Sequence, residues 1–177
     1  QHETGSDRLA EVVQQQGWAD DTIVVNLQGD EPLTPVANLH QLAGNLARYP
    51  SASIATLATP IHSSEEFHDP NAVKVVCDAQ GFALYFSRAP IPYPRDGASD
   101  VSSFALRHVG MYAYRAGFLK AFAQMPAAAI EQLEKLEQLR ALANGYRIHV
   151  DIAKELPGLG VDTESDLQKV EVLLSQA

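Results

Sequence analysis

A single cysteine, Cys77, stands in the 177 residues, and one thiol cannot close a disulfide within the chain. Nothing at the start reads as a charged, then apolar, then small-residue export signal, so a reducing cytoplasm is the expected compartment. Basic residues are scarce: 13 Lys and Arg face 22 Asp and Glu, for a net charge of -9. Sequence-independent attachment to nucleic acid or anionic lipid needs a basic face, and neither partner is expected. Long apolar runs are missing as well. A membrane-spanning helix takes about twenty consecutive apolar residues, whereas stretches such as 54–60 and 72–77 are far shorter and bounded by polar residues, as in a soluble protein. His2, His40, His62, His68 and His149 lack paired zinc-ligand spacing and read as surface or locally hydrogen-bonded residues. The chain also lacks an initial Met and runs straight into a helix-opening pattern, which predicts an earlier stretch of polypeptide before Gln1.

What is present is 46% hydrophobic, enough to build the core of one domain over residues 1–177. Gly5-Ser6-Asp7 reads as a cap to an amphipathic helix with Leu9, Val12 and Val13 on one face and Gly17 as its stop. Residues 22–27 form a β-branched apolar run, the pattern of a strand buried on both faces. A helix over 35–48 and a second buried strand over 52–57 follow. Helix and strand alternate as in an open, mostly parallel α/β sheet with flanking helices. Residues 73–77 and 82–86 form a hairpin around a turn at Gly81, and Cys77, alternating with Val75 and Val73, reads as a buried inert thiol. Residues 95–103 read as a mobile surface loop, 106–114 as a strand followed by a short helix to Gln124. An apolar stripe of Ile130, Leu133, Leu136, Leu139 and Leu142 predicts one helix over 131–143, stopped at Asn144-Gly145. Residues 147–152 alternate as a half-buried strand, and a last helix spans 164–174. Trp18 reads as a packing residue, and no repeat, coiled coil or linker interrupts the chain.

Two acidic residues stand out. Asp30 follows Gly29 at the end of the first strand, and Asp162 lies in a glycine-rich loop before the last helix. Open α/β sheets place ligands at strand carboxyl ends, and Mg²⁺ takes one or two carboxylates and completes its shell with water and phosphate oxygens. The two carboxylates are therefore expected close together, holding a metal on a phosphate substrate. Taken singly, each reads first as a turn or helix cap. Gly29 permits close backbone approach, but the spacing names no substrate.

Six ordered blocks carry a more specific signal: Thr4-Gly5-Ser6-Asp7-Arg8, Gln28-Gly29-Asp30-Glu31-Pro32, Tyr85-Phe86-Ser87-Arg88-Ala89-Pro90, Arg107-His108-Val109-Gly110-Met111-Tyr112, Leu133-Glu134-Lys135-Leu136-Glu137-Gln138 and Pro157-Gly158-Leu159-Gly160-Val161-Asp162-Thr163. Together they resemble the 3-deoxy-manno-octulosonate cytidylyltransferases, the CMP-Kdo synthetases, over essentially the whole chain. The resemblance implies a Rossmann-like nucleotidyltransferase of lipopolysaccharide synthesis, dimeric and Mg²⁺-dependent, which joins the anomeric hydroxyl of Kdo to the α-phosphate of CTP and releases pyrophosphate. It implies Asp30 and Asp162 as catalytic metal ligands, Gly5, Ser6 and Gln28 near the nucleotide, and Arg88, His108, Tyr112, Glu137 and Gln138 around Kdo. Glu137 and Gln138 fall near the middle of the helix predicted over 131–143. Family members carry a first strand and an Arg- and Lys-containing triphosphate loop before the first block, so the nucleotide half-site is expected to be incomplete here. The competing readings are a cytidylyltransferase for another α-keto acid sugar such as a sialic acid, a metal-dependent phosphohydrolase, and a non-catalytic sugar-binding module.

Overall fold

The computed structural model describes residues 5–97, 100–158, 160–161 and 163–175, apart from the side chains of Asp7 and Asp166. The amphipathic opening forms α1 (Gly5–Gln16), with Ala10 and Val13 buried, and ends at Gly17 with φ +63°. β1 (Ile23–Asn26), α2 (Val36–Arg48) and β2 (Ile54–Pro60) follow, then the short α3 (Ser64–His68). The hairpin is β3 (Lys74–Cys77) and β4 (Ala83–Ser87), turned at Gly81 with φ +82°. β5 (Leu106–Arg115), α4 (Ala116–Phe122), α5 (Ala129–Glu134), α6 (Gln138–Ala143), β6 (Ile148–Ile152) and α7 (Glu164–Leu174) complete the order.

The six strands form one mixed sheet in the order β4-β3-β5-β2-β6, with β1 also paired to β5. β1, β2, β3 and β6 share one direction, as an open α/β sheet requires, and β4 and β5 oppose them. The helix and strand alternation does not reveal that β5 lies antiparallel between β1 and β2. Among the described residues, parallel neighbours pair only at β2 and β6. β3 and β1 share one edge of β5: β3 pairs with 106–107 and β1 with 112–115. On the other edge, the β2 register slips between Thr56 and Leu57, so that Thr56 faces Tyr112 while Leu57 faces Val109. This bulge aims the middle of β5 into the site.

One apolar cluster joins Ile54, Val75, Phe86 and Tyr114 of the sheet to α1, α4 and α6; a second joins Ala55, Leu57, Val109 and Met111 to Leu42 and Leu46 of α2. β2, buried along nearly its whole length, meets the pattern of a strand covered on both faces, but in β1 only Val24 is fully buried. The 131–143 stripe does not form one helix. Lys135, at φ 54°, breaks it into α5 and α6, and Leu133 is left 83% exposed. The break is held by a buried fork: Arg140 Nη2 and Nε donate to Glu131 Oε1 and Oε2 at 2.6 and 2.9 Å.

Other local expectations change in the same way. β6 buries Ile148, His149 and Val150 in succession because the hairpin turn folds over it, with Val150 N–H donating to Gly81 O at 2.8 Å. His149 is a core residue, its ring stacked 3.9 Å from that of Tyr49. Within 95–103, residues 95–97, Asp100 and Ser103 are exposed as expected, whereas Val101 is buried with Ile61, Phe67 and Ala105 in a small satellite core. Trp18 stays partly exposed, and its carbonyl accepts from Lys120 Nζ at 2.8 Å. Cys77 is half-buried; burial and the neighbouring Asp78 push its thiol up to about 11, which fits an inert role.

Candidate active site

The β1–β5 ladder ends at Asn26 opposite Tyr112, and the chain then turns through Gln28-Gly29-Asp30, all exposed. Glu31 N–H closes the turn on Gln28 O at 3.2 Å, and Asp30 O accepts from Val161 N–H at 2.8 Å. Glycines allow the second loop to lie this close. A Cβ at Gly158 would overlap Leu33, and one at Gly160 would lie 3.3 Å from Glu31 Oε1. The strand that feeds this loop is anchored by α2: Gln41 Nε2 donates to Asp151 Oδ2 at 2.9 Å and Ile152 O at 2.7 Å, and Asn38 Nδ2 donates to Glu155 O at 2.8 Å. Burial raises the Asp151 carboxyl, but the hydrogen bonds from Gln41, Asn45 and its neighbouring backbone, with the His149 charge, hold it below the ordinary range.

Asp162 lies outside the described residues, so its distance to Asp30 is not part of the geometry. Among the described residues no group of three or more His, Cys, Asp and Glu could hold a metal ion. At this turn the described residues offer one exposed carboxylate, that of Asp30, the hard oxygen type that a divalent cation takes. Asp30 is exposed at a strand end, and Val161, bonded to its carbonyl, directly precedes the second carboxylate in sequence.

A second group of side chains forms where α1, β5 and the α5–α6 break meet. Ser6, buried at the start of α1, donates to Glu137 Oε2 at 3.1 Å. Glu137 is the residue before α6 and Gln138 its first, so the helix break, not a helix middle, presents them. Glu137 Oε1 and Gln138 Nε2 are buried without a hydrogen-bond partner. With Tyr112 and Tyr114 they line a cavity of ≈ 20 Å³, room for one water or one hydroxyl. Burial raises both tyrosine hydroxyls, and the Glu137 charge adds to it, so both remain protonated donors. Gly5, by contrast, is exposed with open space around it.

Arg88 follows β4 and is oriented by backbone carbonyls: Nε donates to Glu134 O at 2.7 Å and Nη1 to Pro70 O at 2.9 Å. Glu134 also accepts from Ser87 Oγ at 2.6 Å and from Arg88 N–H at 2.9 Å. Lys74, fully buried in β3, donates to Asp69 O at 2.7 Å; burial lowers its pKa. His108 projects from β5 beside Thr56 Oγ1 at 3.0 Å, with its ring 5.4 Å from that of Tyr112. Burial drives its imidazole down to about 3.

The structure thus joins Ser6, expected near the nucleotide, directly to Glu137, expected near the sugar. Tyr112 and Gln138 line the same cavity, His108 stands one ring away beside Tyr112, and Gln28 and Asp30 lie in the turn beyond the strand paired to Tyr112. Glu134, Thr56 and Lys74 had no role in the sequence reading. A hydroxyl in the apolar 52–57 run was the signal for Thr56; nothing local distinguished Glu134 from the other acidic residues of its stripe.

The mixed sheet with its flanking helices is that of a nucleotidyltransferase. The solved structure of CMP:2-keto-3-deoxy-manno-octonic acid synthetase complexed with CTP matches 99% of this chain and 69% of its own, with 43% identity and a TM-score of 0.86. At 15% identity and a TM-score of 0.57, 4-diphosphocytidyl-2C-methyl-D-erythritol synthase shares the fold alone, over 97% of this chain and 64% of that one. The family model described as cytidylyltransferase matches residues 1–152. A 3-deoxy-manno-octulosonate cytidylyltransferase of Thioalkalivibrio sulfidiphilus is 58% identical over 98% of this chain and 71% of its own length. Those of Alkalilimnicola ehrlichii and Yersinia pseudotuberculosis are 56% and 53% identical, over 99% and 98% of this chain and 70% of each relative. The chain belongs to the cytidylyltransferase family, among the 3-deoxy-manno-octulosonate cytidylyltransferases.

Proposed function

We propose that this protein transfers the cytidylyl group of CTP to the anomeric hydroxyl of 3-deoxy-manno-octulosonate (Kdo), giving CMP-Kdo and pyrophosphate for lipopolysaccharide synthesis. The observation that carries the reading is the buried, unpartnered pair Glu137 Oε1 and Gln138 Nε2 beside Tyr112, in a chain of this family. An acceptor and a donor left without partners in a buried site are costly, and a sugar hydroxyl supplies both bonds.

The anomeric oxygen forms a bond to the α-phosphorus, the α–β phosphoanhydride bond breaks, pyrophosphate leaves and the hydroxyl proton passes to solvent. In-line positioning and charge compensation supply most of the acceleration in such a displacement. Arg88, with Nε and one Nη1 proton already on carbonyls, keeps its Nη2 side for the Kdo carboxylate. His108, Tyr112, Glu137 and Gln138 orient the sugar, and Gly5, Ser6 and Gln28 flank the nucleotide. Asp30 and Asp162 would hold Mg²⁺, which when bound lowers the hydroxyl pKa and screens the triphosphate from the incoming carboxylate. We place the reaction in the cytoplasm, in a homodimer.

Pyrophosphate release tests the reading. Release is expected with CTP plus Kdo and not with CTP alone. Release without sugar indicates a phosphohydrolase, release with a sialic acid in place of Kdo indicates the other sugar acid, and none with either sugar leaves a binding module; each result overturns the proposal.

A further inference from the structure

Thr56 is 0% exposed, and its hydroxyl oxygen has three polar neighbours: Met111 O at 2.7 Å, Val109 O at 3.0 Å and His108 Nε2 at 3.0 Å. All three come from residues 108–111 of β5, which run up to and into the slip in register between Thr56 and Leu57. A threonine hydroxyl has one hydrogen to give and two lone pairs with which to accept. Two of the neighbours are carbonyl oxygens, which only accept. If the Thr56 hydrogen pointed to the histidine, its oxygen would face two carbonyl oxygens, one of them at 2.7 Å, with no hydrogen between them. The arrangement that avoids this sends the hydroxyl hydrogen to Met111 O, with Val109 O close beside it, and leaves a lone pair of Oγ1 facing His108. The ring must then donate from Nε2–H.

In a neutral imidazole a proton on Nε2 leaves Nδ1 as a bare acceptor. Burial keeps the ring neutral, its pKa down to about 3, and among the described residues nothing bonds Nδ1. Phe86, edge-on at 4.9 Å between ring centroids, and Tyr112 at 5.4 Å hold the ring plane. We infer that Thr56 is a positioning residue: its buried hydroxyl locks His108 in the Nε2–H tautomer, so that the Nδ1 lone pair is presented as an acceptor to a hydroxyl of the sugar acid. The inference rests on the cytidylyltransferase reading for the identity of that hydroxyl, but the tautomer itself does not depend on it. The same oxygen ties the bulge to β2, so the backbone irregularity and the state of the ligand-facing histidine are set by one side chain.

Two measurements test it. Nitrogen-15 NMR of the histidine-labelled protein, with the His108 signal assigned by its loss in H108Q, is expected to show the proton on Nε2 in wild type and in Thr56→Ser, and a mixture or the Nδ1–H form in Thr56→Val. A proton on Nδ1 in wild type overturns the inference without any variant having to fold. In steady-state pyrophosphate release, Thr56→Val is expected to raise KM for Kdo about tenfold, the loss of roughly one hydrogen bond, with KM for CTP and kcat within about twofold and recovery in Thr56→Ser. A purely structural role would lower the melting temperature of Thr56→Val without moving the tautomer or separating the two KM values. Wild-type turnover with an unmoved KM for Kdo in Thr56→Val overturns the positioning role alone. Wild-type protein that releases no pyrophosphate with Kdo overturns the substrate reading, and with it the assigned hydroxyl partner.

Discussion

At the scale of single residues the site combines exposed charged groups with groups packed into the protein. Asp30 is of the first kind, and Asp30→Asn is expected to leave thermal unfolding unchanged while abolishing turnover, since an amide cannot supply the charge a divalent cation requires. Near-wild-type turnover at saturating Mg²⁺ would remove its metal role. Gln138→Ala should differ in kind: it takes away one or two hydrogen bonds, about 1 to 3 kcal/mol, and raises KM for Kdo, which titrating Kdo at fixed CTP would detect. His108 is half-buried, its ring packed against Phe86 and Tyr112, and carries a pH signature. The unfolded chain binds a proton there near 6.5, while the native imidazole resists it down to about 3. The contribution is therefore fully present above 6.5 and is lost as pH falls toward the folded value. Between about pH 6 and pH 4 the fall in unfolding free energy should be shallower in His108→Gln by about one proton; identical slopes in denaturant titrations would contradict the burial.

At the scale of elements, two irregularities build the site from regular parts. The slip between β2 and β5 turns Thr56 and His108 toward each other, and the break at Lys135 turns Glu137 and Gln138 inward. A lysine at φ 54° occupies the left-handed region at a cost glycine does not bear. Lys135→Gly is expected to raise stability by up to about 1 kcal/mol and Lys135→Val to lower it, measured by urea unfolding; the reverse order would show that α5 and α6 are not parted by this residue. The fork between Arg140 and Glu131 explains why the break persists. Both side chains are nearly buried, 12% and 11% exposed, and removing one would leave the other charge unpaired.

At the scale of the whole molecule, the sheet gathers its site from segments far apart in the chain: Ser6 meets Glu137, and the 158–161 loop meets the Asp30 turn. The hairpin also carries Leu84, 62% exposed, and Tyr93 beyond it is 80% exposed. Apolar surface of this kind on an acidic protein fits burial against a second copy. Sedimentation equilibrium at micromolar concentration is expected to give the dimer mass, and Leu84→Asp to shift it toward monomer. A monomeric wild type would remove the proposed assembly, and a variant that remains dimeric would move the contact away from the hairpin.

Wherever an element depends on neighbours along the chain, the sequence alone determined it: the stops at Gly17 and Gly145, the hairpin turn at Gly81, the buried run of β2 and the span of α7 are all local in origin. The blocks around Asp30, Arg88, His108, Glu137 and Asp162 identified the chemistry because they keep residue types in order. What only the tertiary structure decided is which of those residues meet, because contact between distant segments depends on sheet order and register. Neither the insertion of β5 between β1 and β2 nor the bond from Ser6 to Glu137 leaves a periodic trace. Leu133 fits an apolar stripe perfectly well and is exposed, because one left-handed residue after it rotates the helix away. Thr56 was visible only as a polar residue in an apolar strand, and its partners appear once β2 and β5 are paired out of register.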